Sequence, residues 1–262
     1  MQDLQEKLDR ITSNTRRLVQ PERLAISEQA TADLFATGIE DRILPVGAAA
    51  PSFSLVDAST GKSVRSADLL ALGPLILNFF RGRWCPYCVT ELETWRDLYP
   101  AIRRAGAVLA AVSPQNRRQN AFTAEHLEKT ECRDKTEHTA KSATAQRSTP
   151  LEHTNPFGGI APNKLPFPIL SDPDAELAIQ FGIAHTIPRP ARAYFRSILV
   201  NIPFANSGKG YDDAPDSAWR LPMPATFVIR QDATIAFAEA HADFRVRPEP
   251  VEILDLLAHL IR

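Results

Sequence analysis

Cys85 and Cys88, three residues apart in Trp84-Cys85-Pro86-Tyr87-Cys88, are the pair best placed for redox chemistry. Residues at i and i+3 on a helix share a face and come within disulfide reach. A helix N-terminus adds unpaired N–H groups and positive potential, which favour a thiolate over a thiol. The flanking residues supply that setting. Pro74 to Phe80 is an apolar run of buried-strand length, Arg81-Gly82-Arg83 reads as a turn, and a helical pattern follows the cysteines. Two other readings stay open: a pair of small buried side chains, or half of a zinc site. Zinc needs further Cys or His ligands, and no second Cys-x-x-Cys exists. No metal and no organic cofactor is expected.

The other candidates are weaker. Trp84 serves equally as a wall of the site or as core packing. Arg81 and Arg83 read as solvated turn charges that could alternatively support a thiolate. Glu91, three residues beyond Cys88, reads as an exposed helix residue, with proton relay as its alternative role. Arg245 and Arg247 read as solvated charges, with proximity to the site as the alternative. Cys132 lies in a polar stretch with His126 and His138 six residues to either side. That spacing does not suit a helical metal site, so it reads as a free surface thiol, with a resolving or intermolecular role as the alternative.

Composition bounds the partners. Thirty basic against 31 acidic residues and a pI near 6.6 give no electrostatic case for nucleic acid or an anionic membrane. Three cysteines are too few for a disulfide framework in 262 residues and suit a reducing compartment. The start lacks the apolar core of a secretory signal, and no run approaches the roughly 20 apolar residues of a membrane span. A soluble, cytoplasmic protein is the expectation.

The elements that must position the cysteines follow from periodicity. Residues 1–44 predict two helices, one carrying Leu4, Leu8, Ile11 and Leu18, the other starting at Pro21 and stopping near Gly38. Their apolar faces make a homodimer contact an expectation. Phe53 to Asp57 alternates as a short strand, and Ser66 to Leu70 makes one helical turn. The helix after the cysteines runs from about Pro86 to Arg104, with Leu92, Trp95, Leu98 and Ile102 facing inward. Ala107 to Ser113 is a second buried strand, which completes a parallel βαβ unit. An insertion near residues 116–163 is polar and reads as a surface excursion, partly mobile, with some helix from Asn120 to Lys129. A strand at Phe167 to Asp172, a helix at Pro173 to Phe181 and an irregular stretch at Ile183 to Trp219, around a short helix near Ala191 to Leu199, follow. The chain closes with strands at Ala225–Ile229 and Thr234–Ala238 about a Gln231-Asp232 turn. A last helix near Glu249 to Ile261 presents Val251, Leu254, Leu257 and Leu260.

This order is α/β, a central mixed sheet flanked by helices. With Trp-Cys-x-x-Cys at a helix mouth and Met223-Pro224-Ala225-Thr226-Phe227 before the hairpin, it resembles the thioredoxin fold. The resemblance implies a cis bond at Pro224 beside the dithiol; a plain strand-edge proline is the alternative. More finely, Arg-Gly-x-Trp-Cys-Pro-Tyr-Cys-x-x-Glu-Leu, Ala111 to Gln115, Ile169 to Asp172 and Ala242 to Pro250 are similar to the AhpC/TSA, or peroxiredoxin-like, family. They look like a subgroup within it. The resemblance implies a domain over residues 45–262 after a helical extension at 1–44. It also implies reduction of hydroperoxides at the expense of a thioredoxin-like donor.

The chain departs from the peroxiredoxin pattern Pro-x-x-x-Thr-x-x-Cys. The proline falls on Arg81, the threonine on Cys85 and the peroxidatic cysteine on Cys88. Glu91 is kept, and the family arginine before the hairpin falls on Pro224. Two mechanisms follow. In the one the resemblance favours, Cys88 attacks peroxide and Cys85 condenses with the resulting sulfenic acid. In the other, Cys85, nearer the helix start and expected to be more exposed, attacks a disulfide and Cys88 resolves it. A redox sensor without turnover is a third class.

Overall fold

The computed structural model describes residues 3–139 and 165–260, with residues 130–139 as backbone only. Nine α-helices, three short 3-10 helices and nine strands occur among them. The chain opens with α1 (Leu4–Leu18) and α2 (Pro21–Ala36), followed by β1 (Ser54–Asp57), β2 (Ser63–Arg65) and α3 (Ser66–Leu70). Next come β3 (Leu75–Phe79), α4 (Pro86–Arg104), β4 (Val108–Ser113), α5 (Arg117–Thr139) and β5 (Ile169–Ser171). They are followed by α6 (Glu176–Gln180), β6 (Ala184–Thr186), α7 (Arg189–Ser197), α8 (Ile202–Ser207) and β7 (Arg220–Pro222). The chain ends with β8 (Ala225–Ile229), β9 (Ile235–Ala240) and α9 (Pro250–Leu260).

Seven strands form one mixed sheet in the order β2-β1-β5-β4-β3-β8-β9. β3 runs parallel to β4, and β4 to β5, while β1 and the β8–β9 hairpin are antiparallel to their neighbours. β3 is buried along its whole length between β4 and β8. Its side chains alternate by the two-residue period of a strand. Leu75, Leu77 and Phe79 enter one apolar layer; Ile76 and Phe80 enter the other, with α4 and α9. Asn78 shares the second face. A polar side chain in the middle of the central strand therefore points at the first turns of α4.

On the first face the rings of Phe79, Phe181 and Phe227 meet at centroid separations of 4.7–5.9 Å. Each such burial stabilises the fold by roughly 1.5–3 kcal/mol. On the second face the inner residues of α4 are buried as the periodicity requires, Leu92, Trp95 and Ile102 completely. α1 packs there within its own chain, burying Leu4 and Leu8. The Glu249 carboxylate accepts the first N–H groups of that helix, from Leu4 at 3.1 Å and Gln5 at 2.8 Å. This removes the reason for expecting a homodimer through α1. Leu18, by contrast, is exposed, as is Val251 on α9, where Ile253 and Leu257 turn inward instead.

Two regions depart from the sequence reading. The polar stretch after β4 begins as a packed helix: Asn120, Thr123, Ala124 and Leu127 of α5 are buried. Its polar residues point inward because they are hydrogen-bonded. Asn120 Nδ2 donates to the Gln115 carbonyl and to Ser171 Oγ, and Gln115 Nε2 donates to Asn120 Oδ1. Residues 140–164, the core of the expected excursion, and the side chains of Cys132 and His138 lie outside the described residues. In the stretch from Ile183 to Trp219, α7 falls where a short helix is expected, while α8 and a small antiparallel pair, β6 with β7, order chain that reads as irregular. Three-residue strands paired over more than 30 residues of chain leave no periodicity to read. This layer has its own apolar cluster, including Ile187, Phe195 and Trp219, and lies beside the start of α4.

Candidate active site

The turn between β3 and α4 is built so that the cysteines begin the helix. Gly82 has φ +148°, and a Cβ there would lie 2.5 Å from Gln115 Oε1 and 2.6 Å from Trp84 Nε1, so only glycine fits. Gln115 Oε1 accepts the Arg83 N–H at 2.8 Å and pins the turn to the end of β4. Cys85 is the N-cap residue of α4, with Pro86 in the first turn. Cys88 lies one turn in. The two sulfurs are 2.8 Å apart, with the Cys88 thiol donating to Cys85.

Both cysteines are buried, Cys85 to 2% exposure and Cys88 to 0%. The expectation that Cys85 is the open one fails because the turn is covered from α7, where Trp84 packs edge-on against Phe195 at 5.7 Å. The two thiols nevertheless differ. Burial pushes the Cys85 thiol up, but the hydrogen bond from Cys88 and the charges of Arg81 and Arg247 outweigh it, leaving Cys85 at about 6. Burial raises Cys88 well above the ordinary thiol range, and its bond to the Cys85 thiolate raises it further against the same two arginines. The two thiols titrate as a pair, and the hydrogen bond from Cys88 favours the thiolate on Cys85.

Two expected surface charges are buried here. Glu91 is 1% exposed, not a solvated helix residue, because α4 turns it toward Asn78 of the central strand. Asn78 Nδ2 donates to Glu91 Oε1 at 2.7 Å, and to Thr226 Oγ1 of β8 at 3.2 Å. Arg247 comes in from beyond the hairpin. Its Nε donates to Glu91 Oε2 at 2.7 Å and its Nη2 lies 3.7 Å from Cys88 Sγ. Arg247 is thus the functional residue that the sequence reading left among solvated charges. The available signal was its place inside Ala242 to Pro250, a segment already similar to the family.

Arg81 is also buried, at 7% exposure, where a solvated turn charge was expected. Its guanidinium is sandwiched between Trp84 at 4.8 Å and Phe244 at 4.3 Å, and its Nε has no hydrogen-bond partner among the described residues. Arg83 remains exposed, near Phe122. Pro224 is buried immediately before β8, in the interior of the sheet, and its peptide bond is trans, as are all those described. The cis expectation fails because β7 passes into β8 in nearly continuous extended chain, which the ordinary trans preference of X-Pro bonds serves. Pro224 shares with Arg81 the wall of a cavity of about 440 Å³ between α2, α7 and β6. His185 faces the same cavity and is kept neutral, its value lowered to about 3 by burial and by Arg81.

The AhpC/TSA family model matches residues 46–238, so the chain belongs to the AhpC/TSA family. Among solved structures, peroxidoxin BcpB from Mycobacterium tuberculosis aligns over 83% of this chain and 98% of its own, at 20% identity and a TM-score of 0.52. Peroxiredoxin 6 of Arenicola marina aligns over 82% and 72%, at 15% identity and a TM-score of 0.54. At these identities the likeness establishes the thioredoxin fold. Curated relatives include a thiol-disulfide oxidoreductase ResA of Geobacillus kaustophilus, 35% identical over 74 residues. Another is the ResA of Oceanobacillus iheyensis, 38% identical over 80 residues. These matches cover 28% of this chain, and the chain spans about two-fifths of the relatives' length.

Proposed function

We propose that the chain reduces small hydroperoxides through Cys85 and Cys88, with Cys85 attacking first. The observation that carries this is the burial of both sulfurs, 2.8 Å apart, between two guanidiniums. A molecule with two reacting oxygens can enter such a site, whereas a disulfide on a folded protein cannot without the turn lifting. The Cys85 thiolate attacks the terminal peroxide oxygen; the O–O bond breaks, giving Cys85 sulfenic acid and an alkoxide or hydroxide that takes a proton from solvent. The Cys88 thiol then condenses with the sulfenic acid, forming the disulfide and releasing water. With the turn lifted, an external thioredoxin-like dithiol attacks the disulfide, donates two electrons and two protons and returns the pair to thiols. The order of attack reverses the assignment carried over from the peroxiredoxin pattern, because the charge rests on the N-cap sulfur. A reducing compartment such as the cytoplasm goes with this reading.

Thiol–disulfide exchange is the second reading. The lowered Cys85 thiol at the start of α4 favours it, and it agrees with the name of the ResA relatives. A sulfenic-acid trap applied after one equivalent of peroxide separates the possibilities. In Cys88→Ser the label is expected on Cys85, and Cys85→Ser should neither label nor turn over. Labelling of Cys88 in Cys85→Ser at the wild-type rate overturns the assigned order. Insulin reduction without any peroxide consumption in the wild type would establish exchange instead.

A further inference from the structure

The cavity beside Arg81 has no part in the chemistry above. It lies between α2, α7 and β6, holds about 440 Å³ and is walled largely by apolar side chains, among them Leu34, Ile39, Ile187, Phe195, Met223 and Phe244. Volumes of this order accept small organic molecules. Three arginines and one carboxylate also line it, Arg42, Arg220, Arg81 and Asp33. Arg42 donates to the Thr37 carbonyl, Arg220 to the Asp174 carbonyl, and Asp33 is on the exposed rim, accepting from Gln29. Arg81 is different. It is more than nine-tenths buried, faces the cavity, and its Nε is buried with no hydrogen-bond partner among the described residues. Burying such a group without an acceptor is costly, and the two flanking rings supply none.

We propose that this cavity is a binding site for a small organic anion, an apolar body carrying one carboxylate that pairs with Arg81. The planar fork of a guanidinium suits a carboxylate, and such a charge-assisted contact exceeds a neutral hydrogen bond by about twofold in strength. The neighbouring neutral His185 adds no competing charge. Binding is coupled to the dithiol, since the guanidinium that meets the ligand also stabilises the Cys85 thiolate. A bound carboxylate neutralises Arg81 and disfavours that thiolate; by reciprocity the thiolate weakens the ligand.

Octanoate and octanol are the probes, with Trp84 fluorescence and calorimetry as readouts on the reduced full-length protein. Octanoate is expected to bind saturably, one per chain, and about tenfold or more tighter than octanol, the scale of one charge-assisted hydrogen bond. Arg81→Met should remove that preference and leave octanol binding as it was. Ala30→Trp fills the cavity from α2 and should abolish binding of both probes while the ultraviolet absorbance of the Cys85 thiolate stays at the wild-type level. In the wild type, saturating octanoate should lower that thiolate absorbance at neutral pH. Absence of saturable binding, equal affinity for the two probes, or octanoate binding that survives Arg81→Met overturns the site. Binding without any change in thiolate absorbance overturns the coupling alone. None of these measurements uses peroxide turnover, so failure of the peroxide reading leaves the site standing, and the reverse holds.

Discussion

Arg247 and Arg81 both favour a thiolate at the same two sulfurs and are held in opposite ways. Arg247 is fully partnered: Glu91, Asn78 and Thr226 form a chain of hydrogen bonds from the hairpin through the central strand to α4, and the guanidinium ends at Cys88. Arg81 has two aromatic rings and a cavity. One cation is built into the fold, and the other is available to what enters the site. The difference teaches that burial alone does not assign a role. A buried charge with a complete set of partners positions other groups, and a buried charge without them is poised to meet a ligand.

Breaking the partnered side should cost most. Arg247→Met leaves the Glu91 carboxylate buried without its cation, and loss of one partner from a buried pair destabilises by about 3–5 kcal/mol. Chemical denaturation should register that loss. Adding Glu91→Leu to Arg247→Met is expected to recover part of it, because the pair is replaced as a unit. Additive losses in the double variant would mean that the two side chains act independently.

The unpartnered side should separate reactivity from stability. Arg81→Met keeps an apolar stem between Trp84 and Phe244 and gives up two cation–π contacts but no hydrogen bond, so its stability loss should stay well below that of Arg247→Met. The Cys85 thiolate, deprived of one of its two cations, should alkylate about tenfold more slowly at pH well below 6, where one unit of pKa is a tenfold change in thiolate, and about twofold more slowly at neutral pH. A large stability loss in this variant would erase the contrast with Arg247.

The pH dependence sharpens the same point. Cys85 lies below its ordinary value, at about 6, so its alkylation should be slow in acid, rise as pH passes through that region and level off above it. In Arg81→Met the rise should shift to higher pH. A wild-type profile that rises only in the ordinary thiol range, near 9, would show that the charge does not rest on Cys85.

The smallest effect is expected at the sandwich itself. Phe244→Leu removes one aromatic face from Arg81, a contact worth about 0.5–2 kcal/mol. It should slow alkylation by less than Arg81→Met does while leaving the Glu91–Arg247 pair intact. An effect as large as that of Arg247→Met would place Phe244 in the core rather than in the gate around Arg81.

Much of this frame was legible in the chain. The continuous apolar strands, the helix from Pro86 to Arg104 and the hairpin about Gln231 and Asp232 follow from periodicity and turn chemistry, which are local. Cysteines three apart at a helix start were readable as a dithiol for the same reason. β6 and β7 were not readable, since their pairing is long-range and each is three residues long. Nor was the packing of α5, whose buried Asn120 and Thr123 look like solvent-facing residues until the hydrogen bonds that satisfy them are known.

The linear chain determined that Cys85 and Cys88 share one helix face at the mouth of α4 and can exchange electrons as a pair. Tertiary structure alone decided which of them bears the charge. That depends on the Cys88 thiol being turned to donate to Cys85, and on Arg247, from beyond the hairpin, and Arg81, from a turn that reads as solvated, both being brought in to favour a thiolate at the pair. Charges act through space, and spacing along the chain carries no record of which distant side chain will be brought to a sulfur.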